Sequence, residues 1–169
     1  MRAAAMQVYV ASPLGFSEAG SAFYRASLIP LLQRLGHDVV DPWALTDQRR
    51  LDAVSAMPYG PERRDEWRRL NAEIARTNHA AIDRCDAMVA VLDGADVDSG
   101  TAAEIGYAFA RGKPIIGYRG DVRLSADNEG AVVNLQVEYF IHESGGCIVR
   151  SLAELDEAFA AIKSSQRAG

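Results

Sequence analysis

Short, dense apolar runs recur along the chain at residues 6–11 (MQVYVA), 38–41 (DVVD), 86–92 (DAMVAVL), 114–118 (PIIGY) and 147–149 (CIV). They are rich in β-branched and aromatic residues, and the first ends at Ser12-Pro13, so each predicts a strand. The run at 86–92 is nearly continuous rather than alternating, which implies burial on both faces of a parallel sheet. Between the runs, apolar positions fall at helical spacing. Residues 17–35 read as a helix opened by Ser17-Glu18 and closed by Gly36, with Phe23, Leu28, Leu31, Leu32 and Leu35 on its inner side. Pro30 inside it predicts a kink or a break in the hydrogen-bond ladder. Residues 63–84 read as a long helix carrying Trp67, Leu70, Ile74 and Ile82. Residues 101–111 form another, capped by Gly112, and residues 152–162 the last. The pattern from 42 to 62 is indistinct: one short helix, then a turn at Pro58-Tyr59-Gly60-Pro61. The apolar stretch 132–141 fits a core helix, a core strand or a buried interface.

Strands alternating with helices predict an α/β fold, a three-layer sandwich whose mostly parallel, flavodoxin- or Rossmann-like sheet is flanked by helices. Residues 1–169 read as a single domain, with no internal repeat.

Composition narrows the partners. Apolar residues make up 49% of the chain and charged residues 24%, an ordinary globular balance, and the net charge is −5. A nucleic-acid binder usually carries a basic face; here the basic residues are scattered. The one dense cluster, residues 61–69, is mixed in sign and reads as a solvated helix face. Cys85 and Cys147 stand at no metal-ligand spacing, and both read as ordinary thiols. No His/Cys/carboxylate group has ligand spacing, and no G-x-G-x-x-G follows the first strand. No metal and no cofactor are expected. The amino-terminal residues are too short and too weakly apolar for a signal peptide, and no segment approaches the length of a membrane span. The expected location is the cytoplasm.

In an open α/β sheet, sites form beyond the carboxyl ends of the strands. Two polar loops belong there: 12–17 and 93–100. The second leads into the helix at 101–111, whose first turn is expected to hold Glu104. Free backbone N–H groups and the helix dipole would then favour its ionised form. The plainer reading is an ordinary first-turn acid, and spacing alone does not choose between them.

Three segments resemble the signatures of the nucleoside 2-deoxyribosyltransferase family: Tyr9 within VYVASPLGF, the stretch DSGTAAEIGYA beginning at Asp98, and NLQVEYF beginning at Asn134. The intervening Asn78 and residues 83–90 (DRCDAMVA) match in place and order, so the similarity spans about residues 6–160. The D-x-G-T-x-x-E-x-G pattern is its most specific part. The resemblance implies base exchange on 2′-deoxynucleosides by double displacement. Glu104 would attack C1′, expel the base and form a covalent 2-deoxyribosyl ester, which a second base would then resolve. Tyr9 resembles the tyrosine that orients this carboxylate; otherwise it is an aromatic filling a strand position. Asp98 resembles the acid at the base edge, able to help protonate the leaving nitrogen; its plainer role is a helix-capping turn. Phe16, Asn78, Gly100 and Asn134 complete the implied substrate-binding set. Phe16 would pack on the base, though loop phenylalanines more often plug the core. Asn78 stands where some family members have aspartate, and an asparagine cannot act as an acid; it also suits an exposed helix face. Asn134 resembles a residue lent to the neighbouring subunit to contact the sugar 5′-hydroxyl. The implied partners are therefore deoxynucleosides, free bases and a second copy of the chain, in a homodimer or larger homo-oligomer with shared sites.

One alternative is a hydrolase of the same fold, an N-glycosidase acting on deoxynucleoside 5′-monophosphates, with water as acceptor. Asn134 and the acidic loop 93–98 favour an uncharged 5′-hydroxyl instead. A second is a non-catalytic nucleotide-binding module, which would need neither Tyr9 nor Glu104. The motifs leave base preference open, and residues 43–60 are expected to shape the base pocket.

Overall fold

The computed structural model describes residues 5–168, with side chains through residue 164. Five strands, β1 (Gln7–Ala11), β2 (Asp38–Val40), β3 (Ala87–Val91), β4 (Ile115–Tyr118) and β5 (Ile148–Val149), form one sheet in the order β2-β1-β3-β4-β5. Every pairing is parallel. This is the flavodoxin-like winding, in which the chain moves outward from β1 in one direction and then in the other. The reversal between β1 and β3 opens a crevice at their carboxyl ends, where such sheets place their ligands.

Both faces of the sheet are covered. On one, Val8, Val10, Val89, Val91 and Ile116 pack against Tyr24, Leu28 and Leu32, and against Leu155, Phe159 and Ile162 of α7 (Leu155–Ala168). On the other, Tyr9, Ala11, Met88, Ala90 and Ile115 meet Ala81 and Ile82 of α4 (Pro61–Arg84), Ile105 of α5 (Ser99–Ala110), and Val137 and Ile141 of α6 (Leu135–Glu143). Successive strand residues point to opposite faces, and each face needs apolar partners. Hence the unbroken apolar run of β3, all five of whose residues are buried.

The expected kink at Pro30 is accommodated in another way. The first helical run is α1 (Glu18–Phe23), a π turn (Tyr24–Leu28) and α2 (Ile29–Arg34). Proline lacks an N–H and crowds the carbonyl four residues earlier. The turn before it widens, and the Ile29 N–H reaches the Tyr24 carbonyl five residues back. The run closes at Gly36, as α5 closes at Gly112, each with positive φ.

The indistinct stretch resolves into a 3-10 turn (Pro42–Ala44) and α3 (Gln48–Ser55). With only Leu51, Ala53 and Val54 apolar among its eight residues, α3 gave a weak periodic signal. α4 begins at Pro61, two residues before the apolar spacing suggests, because proline is well suited to the first helical position. Of the stretch 132–141, only residues from Leu135 onward are helical; Val137 and Ile141 enter the core while Leu135 and Tyr139 stay exposed. Cys85 and Cys147 are both free thiols.

Candidate active site

A cavity of about 380 Å³ lies at the carboxyl ends of β1 and β2, within the range typical of small-molecule sites. The loop after β1 contributes Ser12 and Phe16, and the loop after β2 contributes Pro42, Trp43 and Thr46. α3 adds Leu51, α4 adds Asn71, Ile74 and Asn78, and the start of α5 adds Asp98, Gly100, Thr101 and Glu104.

Tyr9 stands on β1 beneath this cavity, fully buried, and its hydroxyl donates to Glu104 Oε1 at 2.7 Å. Asn78, half-buried on α4, directs Nδ2 to the same oxygen at 3.5 Å. Both donors converge on Oε1, while Oε2 accepts no protein hydrogen bond among the described residues. A carboxylate held by one oxygen presents the other to whatever occupies the cavity. Asn78 Oδ1 is buried with no partner among the described residues.

Glu104 differs from the sequence-based expectation in one respect. α5 begins at Ser99, so Glu104 is its sixth residue and lies in the second turn, beyond the free N–H groups of the first. Its ionised form is not favoured as expected. Burial raises its pKa above the usual carboxylate value; the Tyr9 hydrogen bond opposes this, the negative charge of Asp98 adds to it, and the Asn78 contact opposes it. Tyr9 is itself pushed far upward by burial and by Glu104, so it remains a proton-bearing donor.

Asp98 caps α5. Its Oδ2 accepts from the Thr101 N–H at 2.9 Å and from the Thr101 hydroxyl at 3.3 Å. Gly100 leaves room for this cap, since a Cβ there would stand 3.1 Å from Asp98 Oδ2. Capping and cavity lining thus coincide in one residue. The rest of the acidic loop turns elsewhere: Asp93 Oδ1 accepts from the Asp121 N–H at 2.9 Å, and Asp96 caps Val97. Fully buried Arg119 ties this loop to the one after β4, donating to the carbonyls of Leu92, Gly94 and Arg123. No lysine or arginine lines the cavity among the described residues.

Phe16 is not a core plug. It is 77% exposed and stands edge-on to Trp43, with centroids 4.7 Å apart. Asn134 caps α6, its side chain accepting from the Gln136 N–H at 3.0 Å, and does not line the cavity of its own chain. His37, His79 and His142 also lie outside the cavity lining. Ser12 lies in the loop 12–17 and Trp43, Thr46 and Leu51 in the stretch 43–60, both expected at the site, whereas Asn71 and Ile74 carry no expectation as lining residues. A signal existed for these two: Asn71, Ile74 and Asn78 share one helix face at steps of three and four, so placing Asn78 in the cleft places the others there too.

Comparison with known proteins places the fold in a family. The family model described as nucleoside 2-deoxyribosyltransferase matches residues 8–136, from β1 to the first two residues of α6. The chain belongs to the nucleoside 2-deoxyribosyltransferase family. A solved structure described as a conserved protein from Enterococcus faecalis is 25% identical, with a TM-score of 0.64, covering 96% of this chain and 99% of that one. Two other solved structures share the fold: the 2-deoxyribosyltransferase of Bacillus psychrosaccharolyticus (22% identity, TM-score 0.60, coverage 92% and 95%) and that of Leishmania mexicana (24%, 0.59, 91% and 94%). An uncharacterized protein of Schizosaccharomyces pombe is 41% identical over 56 residues, 31% of this chain, and the match spans only 26% of that protein's length. Among the described residues, no group of three or more His, Cys, Asp or Glu side chains could hold a metal ion, and no helix is long and apolar enough to cross a membrane.

Proposed function

We propose that the chain exchanges the base of 2′-deoxynucleosides, with Glu104 as nucleophile. The observation that carries this reading is the Tyr9–Glu104 pair under the cavity, with Oε1 held at 2.7 Å and Oε2 unengaged. Oε2 attacks C1′, the C1′–N bond breaks, and the electron pair leaves with the base, which takes up a proton. The sugar remains as an ester on Glu104. A second base attacks C1′ from the opposite face, releases the carboxylate and loses a proton, so two inversions give net retention. Asp98 is the candidate donor to the leaving nitrogen when protonated on Oδ1, which accepts no hydrogen bond among the described residues while Oδ2 caps the helix, and it recovers the proton lost by the second base. Asn78 supports Glu104 and supplies no proton. Gly100 keeps the cap open to the cavity, and Phe16 borders the base. Asn134 serves the cavity of a neighbouring subunit, reaching the sugar 5′-hydroxyl.

The absence of cationic side chains from the lining favours an uncharged 5′ end over a phosphate. Deoxynucleosides should therefore outcompete their 5′-monophosphates; equal or better turnover of the monophosphate would favour the glycosidase instead.

The test is incubation with deoxyinosine with and without adenine. Deoxyadenosine formed only with adenine supports exchange, and free deoxyribose alone indicates hydrolysis. A 2-fluoro-arabinosyl nucleoside should add one sugar mass to the peptide holding Glu104. Label on another carboxylate would overturn the mechanism.

A further inference from the structure

Trp43 is fixed by unusually many contacts for a residue in a surface loop. Its backbone N–H donates to Asp41 Oδ1 at 3.0 Å, and its indole N–H donates to the Ser12 carbonyl at 3.1 Å. The indole lies against the backbone of Gly15, where a Cβ would stand only 2.3 Å from a ring carbon, so no larger residue fits beneath it. Phe16 closes on it edge-to-face at 83°. The contacts join the loops after β1 and β2 through one ring, which remains 38% exposed and borders the cavity.

The same Asp41 oxygen accepts a second bond, from the hydroxyl of Tyr24 at 2.8 Å. Tyr24 is 2% exposed and opens the π turn before Pro30. The widened turn therefore supplies the residue that holds Asp41 from below, while Asp41 holds the start of the turn carrying Trp43. Single π turns inside helices often mark functional positions. Here the Tyr24 hydroxyl links the turn to the wall of the cavity.

We propose that Trp43 is the platform on which the nucleobase packs, and that Tyr24 and Asp41 are the positioning residues that hold it in place. This rests on the base-exchange reading of the same cavity. A sugar whose C1′ faces Glu104 must extend its base away from that carboxylate, toward walls in which the aromatic and aliphatic side chains of Phe16, Trp43, Leu51 and Ile74 stand among the polar Ser12, Thr46 and Asn71. A flat heterocycle gains most from a flat, pre-positioned ring, because neither partner loses further freedom on contact.

Trp67 is the only other tryptophan in the sequence, so a Trp67→Phe background makes Trp43 the sole indole reporter. Titration with adenine, hypoxanthine and cytosine should change its emission saturably. Trp43→Ala should weaken base binding, followed by calorimetry, by about 5- to 150-fold, the range for losing one base–aromatic stack. Tyr24→Phe, which removes one hydrogen bond, should raise the KM for donor nucleoside and acceptor base alike by about 3- to 10-fold, and Asp41→Ala, which removes two, should raise it further, with a smaller effect on kcat in each case. Asp41→Asn, which keeps an acceptor oxygen, should recover most of the loss. Saturable base binding with unchanged Trp43 emission would overturn the proposal. So would Tyr24→Phe, which keeps the buried ring and needs no refolding, if acceptor KM stayed at the parental value or if kcat alone fell. A chain that binds bases against Trp43 but exchanges none would leave this inference standing and remove the transferase reading.

Discussion

At the scale of single residues, the proposed role of Glu104 sets folding against chemistry: burial raises its pKa, yet a nucleophile must be ionised. The folded state therefore favours the protonated form more than the unfolded chain does. The stability that this proton contributes is present below the usual carboxylate value and is lost as pH rises through the raised value. Glutamine has no such dependence and still offers Oε1 to Tyr9. Glu104→Gln should abolish base exchange while melting at a higher temperature than the parent near neutral pH, and the difference should shrink on acidification. A variant that melts lower at neutral pH would contradict this account. Tyr9→Phe removes one bond to the carboxylate, worth about 1–3 kcal/mol, so kcat should fall by about 5- to 150-fold. The same bond lowers the Glu104 pKa. Its loss should therefore shift the acid limb of the pH–rate profile to higher pH, an effect that mere loosening of the fold would not produce.

At the scale of elements, α5 makes one residue serve the helix and the cavity at once. Asp98 caps the helix through Oδ2, and its charge raises the pKa of Glu104. Two substitutions separate these roles. Asp98→Asn retains an acceptor for the Thr101 N–H and removes both the charge and the proposed proton donor, so stability should hold and kcat should fall, while the acid limb of the remaining activity moves to lower pH, opposite to Tyr9→Phe. Asp98→Ala loses the cap as well and should cost about 0.5–2 kcal/mol in denaturant unfolding. Equal destabilisation by both would show that a neutral oxygen acceptor does not sustain the cap and that the charge is required. Such dual use explains what the sequence could and could not reveal. The inner strands β1, β3 and β4 were legible because both faces of the sheet are buried there, which makes the apolar runs dense, and the short, partly exposed edge strands β2 and β5 through their β-branched residues. Glu104 and Tyr9 were legible through their motifs. The start of α5 was not, because Ser99 and Gly100 read as loop residues and only the Asp98 cap draws them into the helix. Trp43 belongs to the stretch expected to shape the pocket, but its fixing was not legible: its partners Ser12, Gly15 and Phe16 come from another loop, and no local periodicity encodes a contact between two loops. The π turn follows from Pro30 only once the packing of Tyr24 and Leu28 requires the helix to continue.

At the scale of the whole molecule, the position of Asn134 is the informative one. It caps α6, and the outer side of that helix exposes Leu135 (55%) and Tyr139 (53%), beside Phe109 and Phe140, whose rings stack at 4.8 Å. Exposed apolar side chains at successive turns of a helix are costly in water and suit a contact between copies. Asn134 lies at the start of that helix and away from its own cavity. If it serves a neighbour's cavity, then Glu104→Ala and Asn134→Ser chains are each inactive alone but complementary when mixed. Serine is chosen because it preserves the helix cap, so a loss of activity cannot be assigned to a frayed α6. For a dimer with free exchange at equal concentrations, half the molecules are mixed, and each mixed dimer has one intact site and one doubly defective site. Activity should recover to about one quarter of the parental value for twofold-symmetric sharing. Recovery should follow the rate of subunit exchange, measured by labelling the two variants differently, and should saturate when exchange is complete. No recovery after complete exchange would mean that Asn134 does not act across the interface. Full activity of Asn134→Ser alone would mean that it does not act at all, leaving the exposed face of α6 to be explained by packing without catalysis.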